Sequence, residues 1–194
     1  MTLLERLRTE TRDAHEALHI HPLLAPLVSP DVTLRDYRYA LLAFELFYRT
    51  MEARTVSFPV DSAPVRDWLA QDMRRQGLTP LDIRVSLPGL YTPSQIWGYL
   101  YVKQGSMLGG NVMTKALRRH LGLQPLTEQR FFAGFGDQNG AQWQKFIENL
   151  FATASSLRMN ETIETAVACF QGVAGICDAV LRLKDADGHD LQTP

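Results

Sequence analysis

The chain is poor in cysteine, with only Cys169 and Cys177 among 194 residues. They fall on one expected helix eight positions apart, roughly 12 Å along its axis, too far to bridge each other. Reduced thiols and a cytoplasmic setting are the simplest reading. Met1 to Arg12 is charged and lacks the apolar run of a secretory signal. No segment approaches the length of a transmembrane helix. Neither sign of charge dominates: 20 Lys and Arg face 21 Asp and Glu, for a net charge of −1. Nothing in that balance calls for nucleic acid or an anionic membrane as partner. Sustained alternation of apolar and polar residues is missing, so no sheet is expected. Internal repeats, low-complexity tracts and shifts of composition are missing too.

What is present is helical periodicity on an ordinary globular composition, 45% hydrophobic and 21% charged. The spacing predicts a helix over Leu3 to Leu18, ending near Pro22. A second spans Leu34 to Val56, capped by Thr33 and stopped by Pro59. Tyr37, Leu41, Phe44, Phe47, Tyr48 and Met51 form its broad apolar stripe, which reads as core, as do Trp68, Trp97 and Trp143. Pro64 to Gln76 makes a shorter helix closed by Gly77. Thr79 to Pro93, broken by prolines, should hold a short helix and a loop. Thr92-Pro93 opens a long helix to Leu121, ended by Gly122. A helix near Thr127 to Phe132 and a loop over Gly134 to Gly140 follow, then helices over Ala141 to Arg158 and Asn160 to Leu183. The expectation is one all-α domain over 1–183, with 184–194 as a flexible tail.

The long helix contains an anomaly. Gly105, Gly109 and Gly110 fall within six residues, and each should weaken a helix by roughly 1 kcal/mol relative to alanine. Gly105 and Gly109 share a face that carries no side chains. A planar ligand could lie against that face; equally, a neighbouring helix could pack closely on it. Ser106 sits among them. Its hydroxyl could serve a ligand or a water, or bond back to the preceding turn.

The first helix carries His15-Glu16-Ala17-Leu18-His19, which puts two imidazoles on one face. The pattern is that of zinc peptidases, with Glu16 as general base. Such an enzyme also needs a third ligand and an edge strand. The chain has Pro22 and Ala25 where the extended motif needs glycine and histidine. His15 alone remains a candidate metal ligand, or a helical histidine satisfied by a neighbour. Together, an imidazole and a bare helix face could sandwich a flat metal macrocycle, since haem iron is commonly held by one proximal histidine. Arg8, seven residues before His15, could reach a carboxylate on a ligand edge, or remain a solvated charge.

At these residues the chain resembles the bacterial haem oxygenases. The resemblance rests on Thr11-Arg12-Asp13-Ala14-His15, on the glycine helix from Tyr101 to Asn111, and on the order and lengths of the helices between them. The form Gly-Ser-x-Leu-Gly-Gly resembles the branch found beside bacteriophytochromes. It implies a haem-oxygenase-like all-α fold with haem between a proximal and a distal helix. His15 would ligate the iron. Gly105, Ser106, Gly109 and Gly110 would form a distal wall bent at the glycines. Arg8 would stand near a propionate, and Thr11 and Phe170 would complete the pocket. The implied activity is oxidative opening of haem to biliverdin, with release of carbon monoxide and iron. Electrons would come from an external ferredoxin, flavodoxin or reductase. The chain departs from the family pattern where Ser106 replaces an aspartate that orders water, and where His19 replaces a carboxylate that hydrogen-bonds the proximal histidine. A non-catalytic haem carrier or sensor is the alternative those departures leave open.

Overall fold

The structure, a computed structural model, describes residues 1–54 and 63–186. Every regular element among them is helical: α1 (Leu3–Glu10), α2 (Arg12–His19), α3 (Leu34–Glu52), α4 (Val65–Arg75), α5 (Pro93–Leu121), α6 (Arg130–Ala133), α7 (Asn139–Thr153) and α8 (Met159–Ala186). The all-α expectation holds. Val56 and Pro59 lie outside the described residues, as does the chain from 187 onward. The last helix continues through Ala186, three residues past its expected end.

Three helix starts follow from local chemistry. Thr2, Thr33 and Thr92 each accept a hydrogen bond from the backbone three residues on, and Glu5, Asp36 and Gln95 reach back to the cap. Gly77 and Gly122 adopt φ of 63° and 72° at helix ends, where a side chain would be strained.

The first expected helix divides into α1 and α2. Thr11 stands at the break, its hydroxyl donating to the Leu7 carbonyl at 2.7 Å. This back-bond competes with regular helical geometry. The short helix expected between Thr79 and Pro93 does not form. Instead, Arg49 of α3 and Arg54 just beyond its end hold that connection through its carbonyls: Arg49 Nη2 donates to Leu81 at 2.7 Å and Arg54 Nη1 to Pro88 at 2.6 Å. The helix expected from Thr127 shortens to α6. The expected loop at Gly134–Gly140 contains a 3-10 turn over Gly136–Gln138, and α7 begins at Asn139.

The apolar faces converge on α8, which packs against α5, α3, α2 and α1. By length and composition α8 could cross a membrane, which the sequence expectation missed because charged residues interrupt the run. Its Ile163, Ala166, Cys169, Val173, Ile176 and Val180 are buried against neighbouring elements, as in the central helix of a globular domain. Both cysteines are free, and burial pushes their thiols up to about 12, which makes them poor nucleophiles. At the α5–α8 crossing, a Cβ on Gly98 would lie 2.3 Å from the Thr162 carbonyl oxygen. Gly98 is therefore what lets these helices touch.

Two outcomes test this packing. Gly98→Ala should lower stability by about 1–3 kcal/mol through overpacking, read as a fall in the midpoint of thermal or urea unfolding. Asp36 accepts from Thr33 N at 2.8 Å and from Lys184 Nζ at the far end of α8. Burial opposes its ionisation, but Lys184 and Thr33 together hold its carboxyl below the usual value. A depressed folded-state value means the stabilisation is complete above about pH 4 and is lost as pH falls through the depressed value. Asp36→Asn should therefore cost about 1 kcal/mol at pH 7, with the difference from wild type closing near pH 2.

Candidate functional site

Both α2 and α5 dock on α8 rather than on one another, and an apolar cavity of about 420 Å³ opens between them. That volume suits a small-molecule site. All eight residues singled out in the sequence line it: Arg8, Thr11, His15, Gly105, Ser106, Gly109, Gly110 and Phe170. Residues 8–15 and 105–110 meet here only because α8 brings their helices to one place.

His15 projects from α2, with the Phe170 ring of α8 beside it at 5.4 Å between centroids. Its Nε2 lies 3.3 Å from His19 Nε2. Burial first, and then the neighbouring His19, depress its proton affinity. Both effects favour the neutral imidazole, the form that ligates metal. Arg8 and Arg12 are exposed at the cavity margin. They give the mouth two positive charges.

The three glycines divide between two roles. A Cβ on Gly109 would meet nothing within 4 Å, so this turn of α5 is bare toward open space. A Cβ on Gly105 would make ordinary contact with the Trp143 ring at 3.7 Å. Gly110 is glycine for another reason: a Cβ there would lie 2.3 Å from the Phe132 carbonyl oxygen. It borders the cavity, but its missing side chain serves the packing of α6 on α5. Close packing thus accounts for Gly110, while Gly109 has open space beside it.

Ser106 makes two hydrogen bonds. Its hydroxyl donates to the Lys103 carbonyl at 2.8 Å. Since that uses its only proton, the Tyr48 hydroxyl must be the donor in their 3.0 Å contact. Burial, the largest influence, raises the Tyr48 phenol far above its usual range, so it stays protonated. What Ser106 can still offer the cavity is an acceptor site. Thr11 likewise has its hydroxyl committed to Leu7, and it contributes wall rather than a free donor.

Sequence reasoning missed the aromatic floor. Phe44, Phe47, Tyr48, Phe131, Phe132 and Trp143 all line the cavity. Phe44, Phe47 and Tyr48 of the α3 stripe, and Trp143, expected as core alone, serve as lining as well. The signal available was width: a stripe spanning Phe44, Phe47, Tyr48 and Met51 exceeds what one packed neighbour covers. Asp72 left no local signal. From α4 its carboxylate accepts from Arg130 N and Phe131 N, both at 2.8 Å, and so caps α6 and holds Phe131 and Phe132 in place.

The architecture is that of the haem oxygenases. A solved structure of the NO- and CO-bound heme oxygenase from Neisseria meningitidis superposes with a TM-score of 0.71 at 23% identity, over 98% of this chain and 95% of that one. A protein from Xanthomonas campestris pv. campestris (strain 8004) named heme oxygenase is 35% identical over 79 residues. That match spans 40% of this chain and 45% of the relative. No protein-family model matches the chain.

The division of the glycines is testable in the ligand-free protein. Gly110→Ala should destabilise by about 1–3 kcal/mol, because helix α6 must move. Gly109→Ala should be neutral or stabilising by up to about 1 kcal/mol, from helix propensity alone. Chemical denaturation of the two variants measures the contrast.

Proposed function

We propose that the protein is a haem oxygenase that opens haem to biliverdin, releasing carbon monoxide and iron. One observation carries the reading: a single apolar cavity places the His15 imidazole on α2 and the bare Gly109 turn on α5 along its walls, with arginines at its mouth. The fold match and the partial sequence match support it. When bound, haem would supply both the iron that activates dioxygen and the ring that is oxidised.

The chain's own groups have separable tasks. His15 would hold the iron through a neutral imidazole, oriented by Phe170 and His19. Arg8 and Arg12 would receive the propionates at the mouth, where charge-assisted hydrogen bonds are strong. Phe44, Phe131 and Phe132 would exclude water from the apolar faces of the ring. Gly109, and beside it Gly105, would let α5 backbone approach the ring with no side chain between. Ser106 would accept a hydrogen bond from a water and so orient it. A proton delivered at Ser106 Oγ would have to pass from the Tyr48 hydroxyl, whose elevated proton affinity makes it a reluctant source. Ser106 therefore orients water better than it acidifies it, and slow turnover is the expected consequence.

Electrons would come from an external ferredoxin, flavodoxin or reductase. The two free, buried thiols suit a cytoplasmic setting. Supply of biliverdin to a bacteriophytochrome rests on the resemblance of the Gly-Ser-x-Leu-Gly-Gly segment alone.

The test is haem titration followed by reductant in air. The wild type should bind haem with a sharp visible band and convert it to a biliverdin spectrum. His15→Ala should weaken binding by more than the roughly 10–100-fold that loss of an outer-shell partner costs, and Gly109→Leu should block binding or turnover. A stable haem complex that never converts would make the protein a carrier or sensor. An unchanged band in His15→Ala would remove that residue from the iron.

A further inference from the structure

Haem binding uses only one half of the His15–His19 pair. The two side chains project from the same face of α2, one helical turn apart, and both are exposed. Their rings stand edge to face, with centroids 4.5 Å apart and planes at 85°. Nε2 of one ring lies 3.3 Å from Nε2 of the other. His21 is committed elsewhere: its Nε2 contacts Asp178 Oδ1 and its Nδ1 accepts from Leu23 N, each at 3.1 Å.

We propose that His15 and His19 together chelate a divalent transition-metal ion of the Zn²⁺, Co²⁺, Ni²⁺ or Cu²⁺ class in the haem-free protein. The separation carries the argument. With metal–nitrogen bonds of about 2.05 Å, nitrogens 3.3 Å apart subtend about 107° at a shared ion, close to the tetrahedral angle. Neutral imidazole suits these ions, whereas carboxylate and carbonyl sites suit Mg²⁺ and Ca²⁺. Two ligands at i and i+4 on one helix are held in register by the backbone, so little ordering is lost on binding.

The site is an open one. No group of three or more His, Cys, Asp or Glu that could hold a metal occurs among the described residues. Water would complete the coordination shell. The His-Glu-x-x-His spelling therefore marks a two-imidazole clamp rather than a peptidase centre. Because His15 belongs to both arrangements, a metal ion on the clamp and haem in the cavity exclude one another. That exclusion, unlike the clamp itself, rests on the haem reading.

The experiment uses the full chain, stripped of metal with a chelator and free of haem. Co²⁺ is titrated while its visible d–d absorption is recorded. One equivalent should bind. His19→Ala and His15→Ala should each weaken binding at least about tenfold, while His120→Ala, at the exposed end of α5, should not change it. Circular dichroism of His19→Ala checks that the exposed substitution leaves the fold intact. Wild-type affinity in His19→Ala would overturn the proposal, as would loss of binding in His120→Ala, which would mark adventitious surface coordination.

A second arm separates the clamp from the haem reading. Haem is titrated with and without saturating Zn²⁺. In the wild type Zn²⁺ should weaken haem binding about tenfold or more, and in His19→Ala, which keeps His15, it should have no effect. Haem binding indifferent to Zn²⁺ in both proteins would overturn the shared role of His15. Failure of haem to bind to any of them, with Co²⁺ still dependent on both histidines, would sink the haem reading and leave the clamp standing.

Discussion

The closeness of α5 to α8 is the constraint on which the rest of the molecule depends. Gly98 lies where a side-chain carbon would strike the Thr162 carbonyl oxygen at 2.3 Å. Its absence sets the distance between the two longest helices. With α5 held there, α2 docks on another part of α8 through the apolar side of its short, strongly amphipathic helix. The cavity is the space these two dockings leave between them. Its walls belong to helices packed against α8 or against α5, which holds them in a fixed relation.

Glycine serves opposite ends along α5. Gly98 and Gly110 make room for protein: each faces a backbone carbonyl of a neighbouring element at 2.3 Å. Gly109 differs: nothing lies within 4 Å of its would-be Cβ. In sequence these residues look alike, because the cost of glycine in a helix is local and the same at each position. The compensation is not local. At Gly98 and Gly110 it is close packing against a neighbouring element; at Gly109 no described residue supplies it.

The far side of the cavity-lining turn is more polar than the cavity. Lys103 is 2% exposed and pairs with Glu52, which also accepts from the Tyr99 hydroxyl at 3.2 Å. Burial lowers the proton affinity of Lys103 and Glu52 restores part of it. Such a pair adds little net stability, yet removing one partner strands the other. The pair ties α5 to the end of α3, so the turn bearing Ser106 and the one bearing Tyr48 keep a fixed relation. The 3.0 Å contact between those two hydroxyls is therefore a property of the interhelical frame rather than of either helix alone.

Much of this was legible without coordinates, for identifiable reasons. The caps at Thr2, Thr33 and Thr92, the stops at Gly77 and Gly122 and the absence of strands among the described residues follow from side-chain chemistry within a few residues of each position. His15 and the glycine turn stood out because each breaks an expectation that belongs to a single helix. The break at Thr11 and the irregular course of 79–93 were not legible: a back-bond to Leu7 accompanies one, and Arg49 and Arg54, donating to its carbonyls, accompany the other. The capping of α6 by Asp72 joins residues about 60 positions apart. The sequence by itself determined that the chain is helical, where most of its helices begin and end, and which residues are chemically unusual. Only the tertiary structure decided which glycine is bare and which is packed, that Ser106 has already given its proton away, and that the α3 aromatics face a cavity. Those facts depend on what lies across a helix interface, and helical periodicity records which face is apolar but not what meets it.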